Sequence, residues 1–402
     1  MAVHVLIYPR TMRQGDTTHN SVQRLEQIQR QISSSPTMSV LPDNENAIFF
    51  GRECVNRVSF LRDDSDFITL AAKHPSTKYA VLNKGVIYGY NKGESGPAVW
   101  YATYEDLKGV IDTWCQQNAS GEGVPLAGIK ATFLGLDESE SGIVYRERYS
   151  GVAYFGIEVG CDDKVVSLLS EKQNLKLYDN RNIIFKLENF DASTYSHAKM
   201  YLDWMDRNRF CAGCGKHNVG VHGGTKLLCS SDKEADKCPV KNASVSNVSF
   251  PRTDCVVITA VSSRNHDKML LARGKRFPGP MFSCVAGFME PSETVEAASL
   301  REVWEETGVK GKVCDIVQTQ PWPYPANMMI GCVVYVDFNG INEVIDLGHD
   351  PELADAKWVD IQEVKRILEG GKADWFIPPA TAIAHSLIKH CVDKYEAGET
   401  RA

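Results

Sequence analysis

The stretch from Gly287 to Val309 constrains this chain more than any other. It reads Gly287, five residues, Glu293, seven residues, then Arg301-Glu302-Val303-Trp304-Glu305-Glu306-Thr307-Gly308-Val309. Pro291, Ser292 and Glu293 form a helix start signal, and Gly308 supplies the left-handed residue that ends a helix. Between them Val295, Ala298 and Val303 fall on one side, and with Val309 they are expected to face a core. Glu302, Glu305 and Glu306 stand at i, i+3 and i+4, so their carboxylates share one helical face. Three such groups repel one another unless a cation joins them. Mg²⁺ or Mn²⁺ would turn them into hard oxygen ligands. Arg301 cannot be a ligand and is expected to pair with a neighbouring glutamate and fix its rotamer. A bare E-x-x-E-E would read as a solvated acidic helix. The flanking Gly287, Glu293, Arg301 and Gly308 set this one apart.

A second cluster lies upstream. Cys211-Ala-Gly-Cys214 is a C-x2-C knuckle, followed by Cys229 and Cys238. Gly213 and Gly215 let backbone amides turn toward the sulfurs. Four thiolates suit tetrahedral Zn²⁺ with no open position, so the site would be structural. His217 and His222 are alternative ligands. A redox C-x-x-C should open a helix after a strand, whereas this one follows a helical pattern and sits among glycines. The other eight of the twelve cysteines, such as Cys255, Cys284 and Cys332, read as small core residues of a reducing compartment.

The chain of 402 residues has room for two or three domains. The expected division is a tail or targeting segment over 1–36, ending at the linker-like Ser33-Ser34-Ser35-Pro36, and an N-terminal α+β domain over 37–190. A helix with the cysteine cluster follows over 191–245, and a C-terminal domain of alternating strands and helices over 246–402. Within the α+β domain, Tyr79–Val86 and Val152–Val159 read as strands and Tyr104–Cys115 as a helix. Helical spacing of Ala198, Tyr201, Leu202 and Met205 marks the segment before the cysteines. In the last domain Val256–Val261, Met269–Ala272, Phe282–Ala286 and Gly331–Phe338 are expected strands. Val295–Glu306 and Ala380–Val392 are expected helices. A net charge of −7 argues against bulk electrostatic binding of nucleic acid, although bound metal ions reverse the local sign for phosphates.

No apolar stretch approaches membrane-spanning length. The cytoplasm is the expected compartment. The arginines of residues 1–36, with Val22, Leu25, Ile28 and Ile32 on one side of a helix, leave a mitochondrial presequence open. The C-terminus, Glu-Thr-Arg-Ala, is not the Ser-Lys-Leu type of peroxisomal signal, and the peroxisome remains a third alternative.

The Gly287–Val309 segment matches the Nudix box, G-x5-E-x7-R-E-U-x-E-E-x-G-U with U aliphatic, at every defined position. Thr319-Gln320-Pro321-Trp322-Pro323-Tyr324-Pro325-Ala326-Asn327 resembles the S-Q-P-W-P-F-P-x-S motif of the NADH pyrophosphatase family. A zinc ribbon before the Nudix domain, and a domain before that, belong to the same family. The departures are Thr319 for Ser, Tyr324 for Phe and Asn327 for the last Ser.

The resemblance implies a Nudix fold, a mixed sheet between helices. It implies metal-dependent hydrolysis of NADH to NMNH and AMP, and of NAD⁺ and NAD-capped RNA at the same bond. Glu305 or Glu306 would be the base. Glu302, Glu306, Glu352 and the Ala286 carbonyl would hold Mg²⁺ or Mn²⁺. Phe250, Phe288, Gln320, Trp322, Tyr324, Asn327 and Ala384 would contact the substrate, the three prolines of the motif holding a stiff extended loop. A homodimer is implied as well. The rivals are a Nudix hydrolase for ADP-ribose or another RNA cap, and a silent nucleotide-binding module, whose signature would be a broken box.

Overall fold

The fold is seen in a computed structural model, which describes residues 48–52, 55–120, 122–231, 238–241, 251–290, 293–349 and 351–400. The tail, the Ser33–Pro36 linker, Phe250, Pro291 and Ser292 lie outside the described residues.

Strand Lys78–Asn83 runs parallel to Tyr149–Glu158 at the centre of an eight-stranded sheet. Side chains alternate between the two faces of a strand, and here both faces are covered. Tyr79, Val81 and Phe155 meet Phe67, Ile111 and Trp114 from helices Ser65–Lys73 and Tyr104–Ala119. Ala80, Leu82 and Tyr154 meet Ala198 and Leu202 of helix Asn189–Arg207. That helix leads into the cysteine cluster in sequence, yet it packs on this sheet. The run expected as one strand from Tyr79 to Val86 divides at Lys84-Gly85. Both of these residues have positive φ (51° and 77°), the backbone of a tight hairpin turn, and Val86–Asn91 returns as a second strand.

The C-terminal sheet has six strands. Its central strand, Asp254–Ser263, is parallel to Asn327–Val336 along its full length. The other edge is shared by Val285–Phe288 and Lys268–Gly274, and Leu353–Asp360 closes that side. One face carries the helix Val295–Thr307. Val261, Leu270, Val285 and Val334 pack there with Val303 and Val309. The opposite face carries helices Ile361–Leu368 and Ile383–Glu396, where Ile258, Leu271 and Tyr335 meet Val364, Leu387 and Ile388. The molecule is therefore mixed α+β, with a layered helix–sheet–helix unit at its C-terminal end.

Two further expectations are corrected. Val295 is only half-buried, and Leu300 packs against the core beside Ala298 and Val303. The proline-rich motif is not a loop. Val313–Trp322 and Asn327–Val336 form an antiparallel hairpin, and only Pro323–Ala326 make its turn, with a cis Tyr324–Pro325 bond. Pro321 is tolerated because Val313–Trp322 is the edge strand of the sheet.

Candidate active site and zinc centre

Thr294 caps the box helix, its hydroxyl accepting from the Ala297 amide at 3.2 Å. Gly308 ends it at φ 74°. The helix therefore starts at Val295, two residues after Glu293. This leaves that glutamate free of the helical backbone and able to fold back along the helix.

Three of the box carboxylates, Glu293, Glu302 and Glu305, converge on one guanidinium. Arg301 donates Nε and Nη2 to the two oxygens of Glu293 at 2.7 and 2.9 Å. Its Nη1 donates to Glu302 at 2.7 Å and to Glu305 at 2.9 Å. Nη2 also reaches the Phe288 carbonyl at 2.9 Å, which ties the helix to the strand before it. A bidentate pair fixes direction as well as charge. Arg301 pulls the Glu293 pKa down. Burial pushes the Glu302 pKa up, Arg301 opposing it. Glu306 is buried, and Glu305 is more open to solvent.

Gly287 explains its own place in the box. A Cβ built there would stand 2.0 Å from Glu302 Cδ, so the carboxylate occupies the space a side chain would take. Ala286 and Phe288 flank it on the same strand, opposite Ile258 and Val256. Phe288 is 58% exposed. Glu352 is exposed at the start of Leu353–Asp360, and its carbonyl accepts from the Lys275 amide at 3.3 Å.

The other expected contact residues are placed differently. Gln320 is fully buried. Its Nε2 donates to the carbonyls of Phe49 (2.8 Å) and Thr381 (2.9 Å), and its Oε1 accepts from the Ile383 amide at 2.9 Å. It thus joins the N-terminal domain, the hairpin and the last helix. Trp322 and Tyr324 turn toward the N-terminal domain. Their rings lie 6.0 and 6.3 Å from Phe50, and Phe185 is 5.8 Å from Trp322. The Arg181 guanidinium sits 4.4 Å from the centre of the Tyr324 ring. Asn327 is buried opposite Trp322, and its Oδ1 has no hydrogen-bond partner. Ala384 is buried at the start of the last helix, its carbonyl 3.8 Å from Cys284 Sγ.

The structure therefore brings Glu293, Arg301, Glu302 and Glu305 into one network beside Gly287. It does not bring Gln320 or Ala384 to that network; both sit on the face covered by the last helix. Sequence reasoning missed Phe49, Phe50, Phe185 and Arg181, the residues that meet the proline-rich hairpin. Their partners lie more than a hundred residues away in sequence, and no local spacing marks them.

The sulfurs of Cys211, Cys214, Cys229 and Cys238 all lie within 4.8 Å of one another. Cys211 and Cys238 are 3.7 Å apart, Cys214 and Cys229 3.4 Å. A tetrahedron with Zn–S of about 2.3 Å has edges of about 3.8 Å, and a disulfide needs about 2.05 Å. The spacing fits a shared ion. The Cys211 amide bonds the Lys216 carbonyl at 2.7 Å across the knuckle, and Gly215 takes φ 74° to make that turn. Amides of Ser231 and Lys241 point at the sulfurs of Cys229 and Cys238, both at 3.4 Å. His217 and His222 are not among the clustered groups.

Among the described residues, no helix is long and apolar enough to cross a membrane. The family model for the NUDIX domain matches residues 251–377. An NAD-capped RNA hydrolase of Saccharomyces cerevisiae is 40% identical over 370 residues, which cover 87% of this chain and 96% of that protein. An NAD-capped RNA hydrolase of Homo sapiens is 34% identical over 356 residues, 86% of this chain and 73% of that protein. A mitochondrial NAD(P)H pyrophosphatase of Homo sapiens is 30% identical over 259 residues, 60% and 68% of the two chains.

Proposed function

Because the chain belongs to the Nudix hydrolases, in the family of the NAD-capped RNA hydrolases and NADH pyrophosphatases, we propose that it cleaves the pyrophosphate bond of NADH, of NAD⁺ and of NAD-capped RNA. The products are AMP (or the 5′-phosphorylated RNA) and the nicotinamide mononucleotide. The observation that carries this reading is the intact carboxylate network gathered beside Gly287.

Nudix hydrolases use divalent metals, and the donor set here suits one. Glu302, Glu305 and Glu306 share a helix face, the Arg301 guanidinium balances part of the charge of Glu302 and Glu305, and burial raises the Glu302 pKa. Glu302, Glu306, Glu352 and the Ala286 carbonyl are the groups proposed to hold Mg²⁺ or Mn²⁺. When bound, the metal withdraws charge from the pyrophosphate oxygens and acidifies water. The chain's own residues do the rest. Arg301 fixes the carboxylate rotamers through Glu293. Glu305, the more open carboxylate, or Glu306 accepts the water's proton. Phe288, exposed beside the box glycine, offers a ring face to a base. Phe250, Asn327 and Ala384 are proposed to line the substrate's path. We further propose Zn²⁺ at the four cysteines as a structural ion, and a homodimer as the working unit.

Product analysis on NADH, NAD⁺, NAD-capped RNA and ADP-ribose, with Mg²⁺ or Mn²⁺, tests the reading. Release of AMP and NMNH from NADH is expected. Turnover confined to ADP-ribose would favour the rival Nudix reading, and no turnover on any of the four would sink both.

A further inference from the structure

The box leaves the residue between Val303 and Glu305 undefined, and in this chain it is Trp304. Val303 is buried in the core, whereas the Trp304 indole stands exposed. It nevertheless has a partner. The His349 ring stacks on it with centres 4.8 Å apart and planes 30° apart. His349 belongs to the loop between strands Asn327–Val336 and Leu353–Asp360, three residues before Glu352.

That loop is fastened to the end of the box helix. The Asp346 amide donates to the Thr307 carbonyl at 2.8 Å, and the Lys310 amide to the Asn342 carbonyl at 2.8 Å. The first bond satisfies one of the carbonyls that a helix C-terminus leaves open. A Cβ on Gly308 would stand 2.9 Å from the Asp346 nitrogen and 3.0 Å from its carbonyl oxygen, so the glycine also admits this contact. Past His349, Leu353 packs against the core cluster that includes Val303. On the other side, Lys275 donates its side chain to the Pro351 carbonyl and its amide to the Glu352 carbonyl. Those bonds hold the Glu352 backbone toward strand Lys268–Gly274, and the stack on Trp304 draws the loop toward the helix. Three residues of chain reach at most about 11 Å. The stack therefore limits how far Glu352 can stand from the helix that carries Glu305 and Glu306.

We propose that Trp304 and His349 form a latch that positions Glu352 at the metal site. The proposal rests on the reading of Glu352 as a ligand. Both rings are positioning residues, acting through the loop and not on the substrate. An exposed stack adds little to a core, so its value lies in where it holds the loop. Stacked rings fix distance and tilt together, which the bonds at Asn342 and Asp346, farther back along the loop, do not do for the stretch that ends at Glu352.

Titration of the full chain with Mn²⁺, reading the free ion by electron paramagnetic resonance, tests this without turnover. Glu352→Gln should weaken Mn²⁺ binding. Trp304→Ala and His349→Ala should each weaken it about 3- to 10-fold, the range of an aromatic pair, with circular dichroism unchanged. Trp304→Phe, which keeps a ring, should restore most of the affinity. In a Glu352→Gln background Trp304→Ala should have little further effect, since residues acting through one contact are not additive. His349→Ala carries the same test if Trp304→Ala unfolds, because it alters only a partly exposed loop side chain. Normal affinity in both ring variants, with Glu352→Gln impaired, would overturn the latch and leave the ligand. Normal affinity in Glu352→Gln would remove the ligand and the latch with it. A Trp304→Ala loss of equal size in both backgrounds would mean that the ring acts on the box helix itself, and would overturn the proposal as well.

Discussion

The Glu302 carboxylate lies over the backbone of Gly287 so closely that a Cβ there would stand 2.0 Å from its Cδ and 2.1 Å from Oε2. The glycine is needed for the space it leaves, since its φ is not among the positive ones. Gly287→Ala is therefore expected to push Glu302 aside without disturbing the strand backbone. A displacement of about 1 Å at a reacting centre can cost about 100-fold in rate. Steady-state kinetics should show a loss of that order while the melting temperature moves little. An unfolded variant, or one with full activity, would contradict the packing argument.

Glu306→Gln keeps shape and removes one charge. If the carboxylate holds metal or accepts a proton, kcat should fall at least about 100-fold with the fold intact. Turnover near normal at saturating metal would remove Glu306 from the chemistry and leave Glu305 as the candidate base.

Two box glutamates titrate in opposite directions. Glu293 is depressed, chiefly by Arg301. Its pair therefore adds stability above the ordinary value of 4.5, and this is lost as pH falls through the lower folded value. Glu302 is raised by burial, so the metal-free protein loses stability as pH rises above 4.5 and this carboxylate ionises. Metal binding favours the ionised form. The rise in melting temperature on adding Mn²⁺ should accordingly grow between about pH 4.5 and pH 7, and in Glu302→Gln that growth should shrink. A metal-induced shift independent of pH in both proteins would show that Glu302 is not a ligand.

The four cysteines should hold about one zinc per chain by elemental analysis. Cys211→Ser should lose the ion and lower the melting temperature, because structural zinc binding contributes directly to folding. A zinc-free preparation that is folded and active would refute the assignment.

The box helix and the cysteine cluster were legible in sequence because both are local. Carboxylates at i, i+3 and i+4 share a face on any helix, and a C-x2-C knuckle closes on itself. The expected helix, Val295–Glu306, is within one residue of the observed one. The N-terminal sheet was legible only in fragments, since its central parallel pair joins Tyr79 to Phe155 across a long connection. Gln320 shows the limit most clearly. As part of a resemblance it suggests a substrate contact. In the fold its amide bonds main-chain groups at Phe49, Thr381 and Ile383, partners that no spacing rule reaches.

Trp322 is where motif and packing make different predictions. The resemblance places it near the substrate, and NADH differs from ADP-ribose by the nicotinamide ring it could hold. The structure turns the indole toward Phe50 and Phe185, at 6.0 Å edge-on and 5.8 Å tilted, in a core cluster that also includes Tyr195 and Trp204. Removing such a ring costs about 3 kcal/mol when the cavity stays open, and part of the coupling between the hairpin and the N-terminal domain goes with it. Trp322→Ala should then lower the melting temperature by several degrees. Activity on NADH and on ADP-ribose should fall in equal proportion, because what is lost is the seat of the hairpin. Trp322→Phe should restore most of both. If instead the melting temperature holds, and KM rises for NADH by at least about 5-fold while ADP-ribose is unaffected, the ring stacks on nicotinamide with the roughly 1–3 kcal/mol typical of base–aromatic contacts. That outcome would require the indole to leave Phe50 and Phe185 when substrate arrives, or a second subunit to bring substrate to it.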